Sequence, residues 1–275
     1  MTYNTIETSA YQGTPVELYE FKFNSLTWYY NSGDSDVFVG VVEYKALSLL
    51  RPAFKASNSS AANNIEVSVP RGTGIAEIYR TNPPATPCTL TVKRFHREES
   101  GVPEVVTMWS GRVMNASFKM AEVTFSCESI LAAKNRSGLR RSFQTQCPHV
   151  LFGDHCKADK STHTIYSIVQ IITDVITIGV SGIDGKPDNY YSGGVIEWTD
   201  PDTTAVERRM IKSSSGSNVV LSFSAPTMVI GMNVKVVPGC ARTTVHCGTK
   251  FNNLLNYGGF PFTPSESPFG GKKIY

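Results

Sequence analysis

Alternating apolar and polar positions, enriched in β-branched and aromatic residues, recur in short bursts along the first half of the chain. They are VELYEFKF at 16–23, TWYYNS at 27–32, NIEVSVP at 64–70, CTLTVKRFH at 88–96 and EVTFSCE at 122–128. A period of two buries one face of an extended segment, so each burst predicts a strand. SGDSD at 32–36 and TNPPATP at 81–87 carry the residues of chain reversals. Only GTGIAEIYR at 72–80 and SILAAKNRS at 129–137 predict helix, and both are short. After residue 156 the strand pattern resumes in IYSIVQIITDVITIGV at 165–180, GGVIEWTD at 193–200, VERRMIKSS at 206–214, NVVLSFS at 218–224 and NVKVVP at 233–238. This second block predicts a small barrel or sandwich. The tail from Phe251, FNNLLNYGGFPFTPSESPFGGKKIY, has no period and predicts a coil that packs its rings against other parts of the molecule.

The expected fold class is therefore mainly β, with two barrel or sandwich domains and an irregular C-terminal coil. The expected boundaries are a β domain over 1–140 and a second domain over 141–275, the latter carrying a small inserted barrel at about 163–237. A length of 275 residues agrees with two cores.

Composition narrows the partners. Charged residues make up 18% of the chain, below the usual ~25%, which implies that part of the surface is covered by other proteins. A net charge of +3, with no run of five Lys or Arg, argues against nucleic-acid binding; LRRSF at 139–143 reads as a solvated or interfacial face. The opening MTYNTIETSAYQGTP lacks a basic start followed by an apolar core, so no secretory signal is expected and folding is expected in the cytosol. The most apolar stretch is interrupted by Ser167, Gln170, Thr173, Asp174 and Thr177, so no membrane span is expected.

The chemistry sits in the cysteines. CPHVLFGDHC holds Cys147 and Cys156 with eight residues between them, and CARTTVHC holds Cys240 and Cys247 with six between. The pairs flank the second strand block, so they could meet at its base. Reduced cytosolic thiols favour metal or catalytic roles over disulfides. Structural zinc sites use tighter pairs, two to four residues apart. Longer gaps suit a larger object, for which an iron–sulfur cluster on four thiolates is the natural candidate. Two local disulfides, a zinc site and unligated buried thiols remain open at this point. Pro148 and Gly248, each directly after a cysteine, are expected to turn the backbone and aim amides at sulfur. His149, His155 and His246 are alternative ligands. Cys88 and Cys127, in strand-like runs, are expected to be buried apolar side chains. No nucleophile, metallopeptidase or phosphate-loop motif occurs, Glu98 and Glu99 read as a solvated turn, and no enzyme is expected.

VELYEF, TWYYNSGDSDV, VSVPR, WSGRV, SCESIL, LRRSFQTQCPHVLFGDHC and CGTKFNNLLNYGGFPFTP together resemble the tail-tip hub family of phages and gene transfer agents, similar in role to the tail-tip protein L of lambda-like phages. The resemblance covers nearly the whole chain, apart from the first dozen residues and 264–275. It implies a structural hub of a long, non-contractile tail that closes the tail tube. Also implied are a homotrimer, a distal tail protein and a central tip or receptor-binding protein as partners, and DNA only as passing cargo. The implied location is the virion tail tip, assembled in the host cytoplasm. The implied cofactor is an iron–sulfur cluster, 4Fe–4S, with Cys147, Cys156, Cys240 and Cys247 as ligands. A zinc-stabilised binding module and an iron–sulfur redox enzyme are the competing classes; the second lacks any flavin or nicotinamide motif.

Overall fold

The computed structural model describes residues 3–9, 13–54, 63–80, 83–97, 103–135, 138 and 143–264. The Glu98 and Glu99 pair, the 139–142 part of LRRSF and the end of the tail from 265 lie outside the described residues. The chain divides into two compact units, Met1–Arg136 with Asp200–Glu207, and Ser137–Thr199 with Arg208–Tyr275. The expected class, mainly β, is what the structure shows.

The first unit begins with α1 (Tyr3–Glu7), β1 (Pro15–Phe23), β2 (Leu26–Asn31), β3 (Val37–Val39), β4 (Val42–Ala46) and β5 (Ile65–Pro70). It continues through α2 (Gly74–Tyr79), β6 (Thr89–His96), β7 (Val106–Phe118), β8 (Glu122–Ser129) and a 3-10 turn at Ile130–Asn135. One eight-stranded sheet results, in the order β3-β4-β2-β1-β6-β7-β8-β5. Its pairings are antiparallel except β2 with β4. Strand β1 is buried on both faces: Tyr19, Phe21 and Phe23 enter the main core, whereas Val16 and Leu18 pack with Tyr44 and Phe95 on the other side. Burying each such side chain contributes about 1.5–3 kcal/mol. Cys88 and Cys127 lie fully inside the main core. At the polar end of β1, Glu17 accepts hydrogen bonds from Arg51, Arg94 and Tyr19.

The sequence reading lacks β7. Its alternation is interrupted by a register shift between Val113 and Asn115, and Gly111 sits where a Cβ would lie 2.2 Å from the Glu128 carbonyl oxygen. A glycine at a close backbone approach reads as a turn when only the sequence is considered.

The second unit contains α3 (Lys160–His163), β9 (Ile165–Ile172), β10 (Thr177–Val180), β11 (Val195–Thr199), β12 (Val206–Ser215, whose first two residues fall in the first unit), β13 (Asn218–Leu221), β14 (Asn233–Val237) and α4 (Thr244–Thr249). Its six strands close into a barrel in the order β10-β13-β12-β11-β14-β9. The core includes Val169, Ile178, Val180, Ile196, Trp198 and Val236. The long apolar stretch is a hairpin, because Asp174 accepts from the backbone N–H groups of Ile176 and Thr177 and so reverses the chain between β9 and β10. Among the described residues, no helix is long and apolar enough to cross a membrane. Closure pairs β9 with β14, setting Ile165 opposite Val236. The chain therefore enters and leaves the barrel at neighbouring points.

Candidate metal centre

The entry and exit segments bring the two cysteine pairs together. Cys147, Cys156, Cys240 and Cys247 all line one pocket of about 120 Å³, with His149, Asn253, Asn256 and Tyr257 among the other walls. The segments are joined through backbone, the Cys147 N–H donating to the Arg242 carbonyl at 2.9 Å. Cys247 is carried by α4, whose first turn is capped by the Thr243 hydroxyl accepting from the His246 N–H. All six cysteines are free thiols, so none of the four is in a disulfide.

Three donors reach the sulfurs. The Arg242 N–H points at Cys240 Sγ at 3.3 Å, the Gly258 N–H at Cys147 Sγ at 3.4 Å, and Asn253 Nδ2 at Cys156 Sγ at 3.6 Å. Asn253 is the central fixture. Its side-chain amide also donates to the Cys156 carbonyl, its oxygen accepts from Asn256 Nδ2 at 2.6 Å, and its backbone carbonyl accepts from the Cys247 thiol at 3.1 Å. The tail wraps the site through close backbone approach. A Cβ on Gly258 would lie 2.3 Å from His149 Nε2, and one on Gly259 2.5 Å from the Thr145 carbonyl oxygen. Tyr257 completes the wrap by donating its hydroxyl to the Thr145 and Arg242 carbonyls.

Several residues around the site hold backbone angles that side chains ordinarily avoid. Phe152, Lys157, Arg242 and Asn252 have φ of 61°, 56°, 60° and 47°. Left-handed backbone costs about 1–2 kcal/mol per non-glycine residue. Four of the seven such non-glycine positions among the described residues lie around the site, and strain of this kind tends to gather at functional sites.

Electrostatically the four thiols belong to one group. Burial, followed by the charges of Cys240, Cys147 and Cys156, raises the Cys247 pKa. Lys250, immediately after α4, is half-buried and pushed down to about 8 by burial, against which the Cys240 charge acts.

Some expected details fall elsewhere. Gly248 lies inside α4 rather than in a turn, so the amides aimed at sulfur come from Arg242 and Gly258 instead. His149 is on the pocket wall, with Nδ1 at 3.2 Å from the Asn256 carbonyl oxygen. Neither His155, whose ring lies 5.4 Å from that of His149, nor His246 lines the pocket. Among the described residues, no three His, Cys, Asp or Glu side chains converge tightly enough to hold a single ion. The four thiols thus share a cavity without forming a one-ion cage. Asn253, Asn256 and Tyr257 were not singled out from sequence; the NNLLNYGG run in which they sit was read as a coil expected to pack near the cysteines, without individual contacts.

Comparison with known proteins adds three findings. The family described as "Phage conserved hypothetical protein BR0599" matches residues 189–267, which include Cys240, Cys247 and the wrapping tail. An uncharacterized protein of Xylella fastidiosa (strain 9a5c) is 25% identical over 169 residues, covering 54% of this chain and 32% of the relative, so the chain spans about a third of that protein's length. Among solved structures, a chain from the virion of the native gene transfer agent (GTA) particle superposes with a TM-score of 0.76 at 16% identity, over 96% of this chain and 92% of that one. The fold is therefore shared with a component of that particle across nearly its whole length.

Proposed function

We propose that this protein is a structural hub of a phage-like tail tip in which Cys147, Cys156, Cys240 and Cys247 hold an iron–sulfur cluster of the 4Fe–4S type. The observation that carries the reading is the meeting of four free thiols, contributed by two segments 83 residues apart, in one pocket. The donor set fits such a group: four sulfurs lie around a cavity, with N–H donors aimed at three of them. The shared fold with a GTA virion component and the phage family match favour a particle protein over an enzyme. Exposed Phe38, Val41, Leu255 and Phe262 agree with surfaces that become buried on assembly.

In this reading the protein forms a homotrimeric ring at the virion tail tip, between a distal tail protein and the central tip or receptor-binding protein, with DNA as passing cargo. It is assembled in the host cytoplasm. When bound, the cluster supplies metal–sulfur bonds that fasten the segment before the barrel to the segment after it. Protein prepared without oxygen is expected to contain iron and acid-labile sulfide in equal amounts, and each Cys→Ser change at the four positions to abolish both. Stoichiometric zinc without sulfide would refute the cluster. A particle map placing the chain away from the tube axis would refute the hub.

A further inference from the structure

Lys250 presents a chemistry that the cysteines alone do not explain. Its ammonium donates to the Gly239 carbonyl at 2.7 Å and to the Tyr190 carbonyl, and it stands 4.1 Å from the centre of the Tyr190 ring. No carboxylate among the described residues forms an ion pair with it. Two carbonyl oxygens and an aromatic face are weak compensation for an ammonium withdrawn from water. The chain nevertheless places it between the residue preceding Cys240 and the helix that carries Cys247. The backbones it joins touch directly, since a Cβ on Gly239 would lie 2.1 Å from the Ser192 carbonyl oxygen.

We propose that Lys250 is the built-in counter-charge of the four-thiolate site, a positioning residue that makes the pocket selective for an anionic metal–sulfur group and sets that group's reduction potential. The inference rests on the cluster reading above. Four thiolates bring four negative charges into a pocket whose described lining residues include no lysine and one arginine, Arg242. Arg242 is exposed, so its charge is screened by solvent; its hydrogen bonds at the site are made by its backbone N–H and carbonyl. Lys250 stands behind the pocket, half-buried and bonded to the carbonyl of the residue before Cys240, and a fixed, partly buried cation is screened less than an exposed one. It favours the more negative, reduced state of whatever anionic group the thiols bind. The hydrogen bonds to Gly239 and Tyr190 hold that charge in place, so charge and geometry act through one side chain.

The test compares Lys250→Met, which keeps the stem and removes the charge, with Lys250→Arg, which keeps the charge. Each is purified without oxygen and titrated with dithionite while the visible absorption is followed. The Met variant is expected to shift the one-electron equilibrium about tenfold toward the oxidised form, equivalent to about 59 mV. It is also expected to lose iron to a chelator several-fold faster. The Arg variant should retain the parental potential. Lys250→Gln, which keeps a donor and loses the charge, provides the same test if the Met variant does not fold. A parental potential in both neutral variants, whatever their iron loss, would overturn the counter-charge role alone. A parental protein that takes up no iron and sulfide would overturn the cluster reading, and this inference with it.

Discussion

Replacing Asn253 with Ala removes the fixture that joins three parts of the cysteine site while leaving every sulfur in place. Asn253 is 9% exposed. The substitution deletes the bond to the Cys156 carbonyl and the bond accepted from Asn256, each contributing about 0.5–1.5 kcal/mol. It also leaves the Cys156 carbonyl without that partner, at a cost of about 1–3 kcal/mol. The bonds that Cys247 makes to the Asn253 backbone, from its thiol to the Asn253 carbonyl and from the Asn253 N–H to its own carbonyl, survive, because they need no side chain at 253. Allowing for partial hydration of the half-buried Asn256, local destabilisation should be about 2–4 kcal/mol. That corresponds to about 30- to 700-fold faster amide exchange in the segments concerned. Hydrogen–deuterium exchange with peptide resolution, on metal-free protein, reads this directly: peptides covering 145–158 and 240–258 should lose protection, and peptides from β1, β6 and β8 should not. Asn253→Asp keeps the acceptor for Asn256 but sets a carboxylate toward Cys156 Sγ, and should cost at least as much. Unchanged exchange around Cys156 in the Ala variant would refute the organising role given to this side chain.

Cys127→Ser should leave iron content at the parental level while destabilising the first unit by about 1–3 kcal/mol in urea unfolding, because it puts a hydroxyl into an apolar core; loss of iron from a folded variant would contradict the assignment of the four ligands. Gly259→Ala should weaken the tail's docking, since its Cβ has backbone and not a flexible side chain to displace, and earlier proteolysis between 250 and 264 should report it. For Glu17, burial raises the pKa, but hydrogen bonds from Arg51, Tyr19 and Arg94 outweigh it, and the net shift is downward from 4.5. A depressed folded value means stability that is present above the unfolded pKa and lost as pH falls through the folded one. Acid unfolding of the first unit below about pH 4.5 should therefore be steeper in the parent than in Glu17→Gln, which should start less stable at pH 7; parallel acid profiles would refute the linkage.

Much of the sheet was legible because burial is one-sided. The β8 segment EVTFSCES alternates half-buried and buried positions along its whole length, and β5 behaves similarly, so period two identified both. The β3–β4 hairpin was not legible, because strands of three and five residues, with Phe38 and the turn residue Val41 exposed, display no period. Helices α1, α3 and α4 were missed for a related reason: at four to six residues, none completes two turns of a 3.6 repeat. At the site, the cysteines stand out because few roles suit a thiol. Their supports do not, since the N–H groups of Arg242 and Gly258 could come from almost any residue. What selects Gly258 and Gly259 is the space left by His149 and Thr145, a property of distant parts of the chain.

The pairing of Ile165 with Val236 also changes what the proposed metal–sulfur group would have to accomplish. From the sequence, joining Cys156 to Cys240 is the closure of an 83-residue loop, a large entropic demand. In the folded protein the barrel has met that demand before any ligand binds, and only the short connections from Cys156 to β9 and from β14 to Cys240 remain to be ordered. Apart from Asp200–Glu207, which belongs to the first unit, the barrel thus acts as a clamp that holds the two ends of the neck side by side. An insertion at Gly216, in the turn between β12 and β13, should therefore leave the four thiols together, because the pairing that closes the neck is not disturbed.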